Sequence, residues 1–197
     1  MASVIVYKGN NKFSYTRDTI VAEYTDRPKT TDECNRIVLM LAILYNAEVM
    51  YENEVPEVKS YFAHKKKLQY LAAQPDGVIS KNIKNSRVNR VYGIHMNAKL
   101  KDAGEKYIKR WLLEERDIDE EGNVLLNLDT ICSIGLLEEL IAYNRKGNFD
   151  RVMSFMTLMF ALEEEGEKEF KEDNEDNIAK DILSFGKNLF KRRNNLY

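Results

Sequence analysis

The chain has 197 residues, enough for one domain with an appended tail. Its 44% hydrophobic and 31% charged residues exclude a low-complexity or collagen-like class and allow a packed core. A net charge of −2 gives no global basic signature for nucleic acid, although charge is unevenly spread: Lys65, Lys66 and Lys67, then Lys81, Lys84, Arg87 and Arg90, are basic, and residues 163–176 are acidic. The longest apolar candidate, residues 37–45, is about half of the ~18–20 residues that span a bilayer, so a transmembrane helix is excluded. Residues 1–7 have neither a basic start nor an apolar stretch long enough for a signal peptide. Cys34 and Cys132 are far apart and sit among apolar neighbours, which predicts two buried thiols in a reducing cytoplasm rather than a zinc site or a disulfide.

In chain order, residues 3–8 are β-branched and run into Gly9-Asn10-Asn11, which predicts a strand and a turn. Residues 19–25 predict a second strand, able to pair with the first as a hairpin. After Pro28, Thr30 or Thr31 is placed to cap a helix over 31–46, with Asp32 and Glu33 in its first turn and an apolar stripe of Ile37, Leu41, Leu44 and Tyr45 that predicts burial over much of its circumference. Residues 47–51 predict a strand; strand, helix and strand in succession read as a crossover unit and imply parallel pairing. Pro56 suits the first turn of a helix over 57–66. Residues 78–91 are polar, basic and aperiodic and read as a loop or irregular short strands; 92–96 predict a strand or strand end. A long helix is predicted over 98–116, a turn over 117–122, a helix over 136–143 and a buried helix over 149–164 carrying Val152, Phe155, Met156, Met159 and Phe160. Residues 1–165 form the expected domain, and 166–197 an acidic linker and a final amphipathic helix over 178–191.

Few positions could carry chemistry. Glu52 follows directly on the strand predicted over 47–51, and ligands gather at the carboxyl ends of strands in α/β sheets. A carboxylate there, with Asn53 and Glu54 beside it, suits a hard cation such as magnesium or manganese, against the plainer reading of a solvated loop. Asp150 opens a predicted helix, where an acid in the first turn is common for electrostatic reasons alone. His64 and His95 read as structural histidines, and Lys99 and Lys101 as lysines that could meet phosphates or simply face water.

Taken in order, Ile20-Val21-Ala22-Glu23-Tyr24-Thr25-Asp26-Arg27-Pro28, Leu44-Tyr45-Asn46-Ala47 and Val49-Met50-Tyr51-Glu52-Asn53 resemble the nuclease domain of phage terminase large subunits, nearest in look to those of tailed phages of gut Bacteroides. Tyr92-Gly93-Ile94-His95-Met96-Asn97 with Lys99 and Lys101, and Leu136-Leu137-Glu138-Glu139-Leu140 followed by Gly147-Asn148-Phe149-Asp150-Arg151, extend the resemblance over roughly residues 1–165. The resemblance implies an α/β, ribonuclease H-like mixed sheet flanked by helices. It implies a pair of divalent ions, Mg or Mn, about 3.5–4 Å apart, that cleave phosphodiesters of concatemeric phage DNA. Glu52 matches the family's second acidic motif and Asp150 its third, so both carry over as catalytic and metal-binding residues; Glu54 is a lesser candidate. Lys84, Arg87, Arg90, Lys99 and Lys101 are the candidate contacts to double-stranded DNA. The implied partners are the packaging ATPase motor domain and the portal, and the implied location is the host-cell cytoplasm.

The sequence departs from the family pattern at the front. The family's first aspartate lies on a strand that precedes the one matched by residues 3–8, and Asp18 does not match it, so that central strand is expected to be missing and cleavage by this chain alone to be weak or absent. A phosphate-binding loop of the GxxxxGK[ST] type is also absent from the sequence, which places the packaging ATPase elsewhere. The competing expectation is a non-catalytic DNA-binding or packaging-machine assembly module, suggested by the missing aspartate, the basic 81–90 segment and the basic C-terminal end. A third is an unrelated α/β domain that imitates these motifs.

Overall fold

The computed structural model describes residues 2–9, 18–54, 56–75, 91–118 and 120–166, and the architecture is mixed α/β. Residues 1–161 form one compact unit; of a second unit, residues 162–197, only the helical stretch 162–166 is described. The loop read over 78–91, apart from Val91, lies outside the described residues. So do Lys84, Arg87 and Arg90, the acidic linker beyond residue 166 and the helix expected over 178–191.

Strands β1 (Ala2–Lys8) and β2 (Thr19–Asp26) pair antiparallel, from Ala2 opposite Asp26 to Lys8 opposite Thr19, with one slip in register between Val6 and Tyr7. The first helix, α1 (Thr31–Tyr45), starts where the sequence predicts: the Thr30 hydroxyl accepts the Glu33 N–H at 3.1 Å, and Asp32 and Glu33 lie in the positive first turn. Asn46 ends it in the left-handed conformation, its N–H directed at the carbonyls of Ala42 and Ile43. The expected burial of this helix is corrected. Asn35, Leu39 and Ala42 are buried, whereas Leu44 is 75% exposed and Met40, Ile43 and Tyr45 also face solvent. Its apolar surface is wider than the neighbours that cover it.

The strand expected over 47–51 is also corrected. Val49 and Glu52 make isolated parallel bridges, to Leu71 and Ile94 respectively, and neither pairs with β2. The Val49 N–H donates to Tyr70 O at 2.7 Å and its carbonyl accepts the Ala72 N–H at 3.0 Å. Two residues on, the Tyr51 carbonyl accepts the Ile94 N–H at 2.8 Å. Residues 70–73 and 91–94 also pair with each other, antiparallel at Ala73 and Tyr92. Three extended segments thus close on one another, which leaves no run long enough for a ladder; the strand expected over 92–96 is reduced to the same bridges. Helix α2 (Pro56–His64) and a 3-10 turn (Leu68–Tyr70) lie between these segments and, with α1, bury a small core of Leu39, Phe62 and Leu71.

The long helix predicted over 98–116 ends earlier, as α3 (Ala98–Leu112). Residues beyond it form β3 (Glu115–Ile118), paired antiparallel with β4 (Val124–Leu126), so residues 117–118 of the turn read over 117–122 are strand, and Gly122 before β4 takes φ +87°. Tertiary contact explains the switch: Arg116 donates to the Asn127 side chain and to the carbonyl of Asp18, a partner no helical period reveals. After a second 3-10 turn (Asn127–Thr130), α4 (Ile134–Ala142) is capped by the Ser133 hydroxyl, and α5 runs from Asp150 through residue 166. The side chains of Val152, Phe155, Met156, Met159 and Phe160 are buried as predicted. Phe155 packs edge-on to Trp111 of α3 with centroids 5.3 Å apart, and Trp111 meets Tyr7 of β1 at 6.3 Å, so α3 and α5 cover the first hairpin. Burial pushes the Tyr7 hydroxyl up to about 12. Cys34 is half-buried, but Cys132 is exposed, its thiol 3.7 Å from the Thr130 carbonyl, which corrects the expectation of two buried thiols. Among the described residues, no helix is long and apolar enough to cross a membrane.

Candidate functional site

Glu52 is held by its neighbours' backbone. The Ile94 N–H reaches the Tyr51 carbonyl at 2.8 Å, the Asn53 N–H reaches the Ile94 carbonyl at 2.9 Å, and the Asn53 side-chain amide donates to Tyr92 O at 3.4 Å. Gly93, at φ +72°, makes this closeness possible: a Cβ there would lie 2.5 Å from the Tyr51 carbonyl oxygen. Side chains alternate along an extended segment, and Tyr51 packs against the Leu39–Phe62–Leu71 core. Glu52 therefore turns to the opposite side, and the charges that act on it are those of Glu54, of Lys101 in α3 and of Asp150 in α5.

The Glu52 carboxyl is raised above its ordinary range. Burial is the main cause, the charges of Glu54 and Asp150 add to it, and Lys101 works against it. The charge of Asp150, distant along the chain, thus reaches Glu52, although that of the neighbouring Glu54 acts on it more strongly. Asp150 is half-buried at the first turn of α5, its Oδ2 closed off from solvent. Of the other candidates, Lys101 is half-buried and Lys99 exposed on the first turns of α3. A helix N-terminus disfavours cations, so the carboxylate opposite compensates for the placing of Lys101. His95 is 60% exposed, with Nδ1 3.2 Å from a Glu54 carboxylate oxygen, and His64 is exposed in the last turn of α2; both are surface groups.

A polar ladder beside the site was not anticipated. Arg151, next to Asp150, spans two carboxylates: Nε is 2.7 Å from Glu23 of β2 and a terminal nitrogen 2.8 Å from Glu139 of α4, with each carboxylate side chain only 15% exposed. Glu139 also accepts the Arg151 N–H at 3.0 Å and the Val152 N–H at 3.4 Å, so it caps α5 from a neighbouring helix. Burial opposes ionisation of Glu23, but donation from Ser133, Arg151 and Thr25 outweighs it and holds the carboxyl below its usual range. The Ser154 hydroxyl adds a 2.7 Å bond to the carbonyl of Ser3. The ladder fixes the start of α5, and hence Asp150, against the first hairpin.

The donor set can be tested against a divalent ion. Carboxylate oxygens suit Mg or Mn, and Mg is commonly held by one or two carboxylates, with water and substrate phosphates completing its shell. Glu52 and Asp150 supply donors of that type, and a cation beside Glu52 would offset the burial and like charge that raise its carboxyl. Among the described residues no three His, Cys, Asp or Glu side chains are grouped as a ready-made cage. Comparison with protein-family models, with curated proteins and with solved structures found no match to this chain.

Proposed function

We propose that the chain is a divalent-metal-dependent nuclease-type domain of the terminase large-subunit kind, acting on phosphodiesters of double-stranded DNA, with Glu52 and Asp150 as the metal-binding carboxylates. The observation that supports this reading is the half-buried Glu52 carboxyl, fixed on extended backbone and kept above its ordinary range by burial and by the like charges of Glu54 and Asp150. A purely structural carboxylate is more often paired with a cation that lowers it, as Glu23 is with Arg151. The ribonuclease H-like arrangement belongs to the same proposal and rests on the order of the matching motifs.

In this reading Mg or Mn supplies activated water and stabilises the departing oxygen. The chain's own residues do the positioning. Glu52 and Asp150 offer hard oxygen donors from an extended segment and a helix start. Half-buried Lys101, whose charge acts on Glu52, would meet a substrate phosphate, and Lys99 is exposed on the first turn of the same helix. Asn53 and Gly93 hold the Glu52 segment against residues 92–94. The proposed partners remain the packaging motor and portal.

The test is Mn²⁺ binding by calorimetry, beside nicking of supercoiled plasmid in Mn²⁺. Wild-type protein is expected to bind Mn²⁺, and Glu52→Ala/Asp150→Ala to lose that binding together with any nicking. Equal Mn²⁺ affinity in the double variant, or nicking that survives it, refutes the site.

A further inference from the structure

Residues 56–70 carry Lys59, Lys65, Lys66 and Lys67 against a single acid, Glu57, in a chain whose net charge is −2. Three of these lysines lie over tyrosine rings: Lys59 Nζ is 5.6 Å from the Tyr92 centroid, Lys65 is 5.5 Å from Tyr61 and Lys67 is 5.9 Å from Tyr70. The three rings are half-buried and pack around the same small core of Leu39, Phe62 and Leu71. Each therefore has its position fixed by apolar packing, yet leaves a face that an ammonium group reaches. The helix dipole accounts for cations just beyond the last turn of α2. It does not account for Lys59, in the first half of that helix, nor for a tyrosine under each of the three lysines.

From this alternation of cation and ring we infer that α2, the 3-10 turn and Tyr92 form a binding face that wraps around α2, Lys59 on one flank and Tyr61 with Lys65 on the other, for single-stranded nucleic acid, the lysines meeting phosphates and the tyrosines receiving unstacked bases. The energetic order is favourable. An exposed lysine–tyrosine contact is weak because ammonium is strongly hydrated, and a base stacked on the same ring is worth more. An incoming strand can thus displace each lysine from its ring to a phosphate without leaving the ring bare. A duplex, whose bases are already stacked, can use the lysines but not the rings. The Tyr92 carbonyl accepts the Asn53 amide beside Glu52, so the face adjoins the proposed cleavage site without sharing its carboxylates. Its chemistry does not depend on a metal.

The experiment measures fluorescence anisotropy of a labelled oligothymidylate of about 20 nucleotides with the whole chain, in EDTA, across a salt series. Wild-type protein is expected to bind, and the variant Lys59→Gln/Lys65→Gln/Lys67→Gln to bind more weakly, with a log–log salt slope shallower by about 2, at ~0.7 for each phosphate that a lysine no longer neutralises. Tyr61→Phe/Tyr70→Phe should keep the affinity, and Tyr61→Leu/Tyr70→Leu should weaken it about a hundredfold, roughly tenfold for each of the two base stacks removed. Far-UV circular dichroism and urea unfolding show whether each variant is folded. The Phe pair serves as the reference for the Leu pair, and the lysine variant, which leaves the rings in place, tests the face if the Leu pair does not fold. Absence of oligothymidylate binding at low salt, a lysine variant indistinguishable from wild type, folded Phe and Leu pairs of equal affinity, or equal competition by polyglutamate would each overturn the inference. Glu52→Gln/Asp150→Asn should leave oligothymidylate binding intact. Loss of Mn²⁺ binding alone therefore bears on the cleavage site, and loss of oligothymidylate binding alone bears on this face.

Discussion

Replacing Arg151 by Met tests the ladder that fixes α5. Met keeps much of the aliphatic stem and removes the charge that Glu23 and Glu139 share at 2.7 and 2.8 Å. Breaking a fully buried ion pair costs about 3–5 kcal/mol, and an exposed pair contributes at most ~1 kcal/mol. The side chains here are 15–24% exposed, so water screens part of the loss, and about 2 kcal/mol is the expected destabilisation at neutral pH. With a urea m-value of about 2 kcal/mol/M, the midpoint should fall by roughly 1 M. The pH dependence gives a sharper check. Glu23 is held below its usual range when folded, so its contribution is complete above the unfolded carboxylate value and disappears as pH falls through the folded one. Wild-type stability should therefore drop between about pH 5 and pH 3, and Arg151→Met, already without the pairing, should drop less. The gap between the two proteins should narrow on acidification. A gap that stays constant over this range, or a midpoint within about 0.2 M of wild type at pH 7, would refute the assignment of the ladder as a source of stability.

The remaining predictions concern the site and the helix contact behind it. Glu52 has the opposite sign to Glu23: its folded carboxyl is raised, so ionisation costs stability as pH rises through and above the unfolded carboxylate value. Glu52→Gln should raise the melting temperature of metal-free protein at pH 7 and leave it unchanged near pH 3; differential scanning calorimetry at the two pH values reads both. Gly93→Ala combines φ +72° with a Cβ 2.5 Å from the Tyr51 carbonyl, and should cost about 1–3 kcal/mol in urea unfolding while weakening Mn²⁺ binding as the Glu52 segment shifts. Gly104→Ala would drive a Cβ against Met156, within 2.7 Å of its Sδ, where α3 and α5 meet, and should cost about 1–3 kcal/mol by overpacking with Mn²⁺ affinity preserved.

Local signals in the sequence located α1 by its cap and acidic first turn, α2 by Pro56, and α5 by its apolar period, because each effect is contained within a few residues. Segments whose conformation depends on distant partners were not legible. Nothing near Arg116 announces that its side chain reaches Asp18 and Asn127, so residues 115–116 read as the end of a helix and 117–118 as the start of a turn, and all four fold as a strand. Residues 47–51 look like a strand by composition, but their hydrogen bonds are divided between residues 70–72 and 94. The carboxylates of the proposed site stand out in the sequence, and the ladder beside them does not. Glu52 and Asp150 stand out at a strand-like end and a helix start, whereas Glu23, Glu139 and Arg151 are ordinary charged residues until three separate elements bring them together.

The ladder and the proposed metal site are linked through Asp150, and the linkage can be measured. Glu139 caps the first turn of α5, so the position of the Asp150 carboxylate depends on the same bonds that Arg151 helps to hold. A ligand that binds only the folded state stabilises it by about 2.7 kcal/mol at a concentration one hundred times its dissociation constant. That is comparable to the ~2 kcal/mol expected from loss of the Arg151 charge. Mn²⁺ in that excess should therefore return Arg151→Met to about wild-type metal-free stability, with a dissociation constant weakened by the greater freedom of Asp150. It should do nothing for Arg151→Met/Asp150→Asn. Thermal unfolding with and without Mn²⁺ decides: equal stabilisation of both proteins would mean that the ion binds elsewhere, and no stabilisation of wild type would mean that Glu52 and Asp150 do not hold a cation.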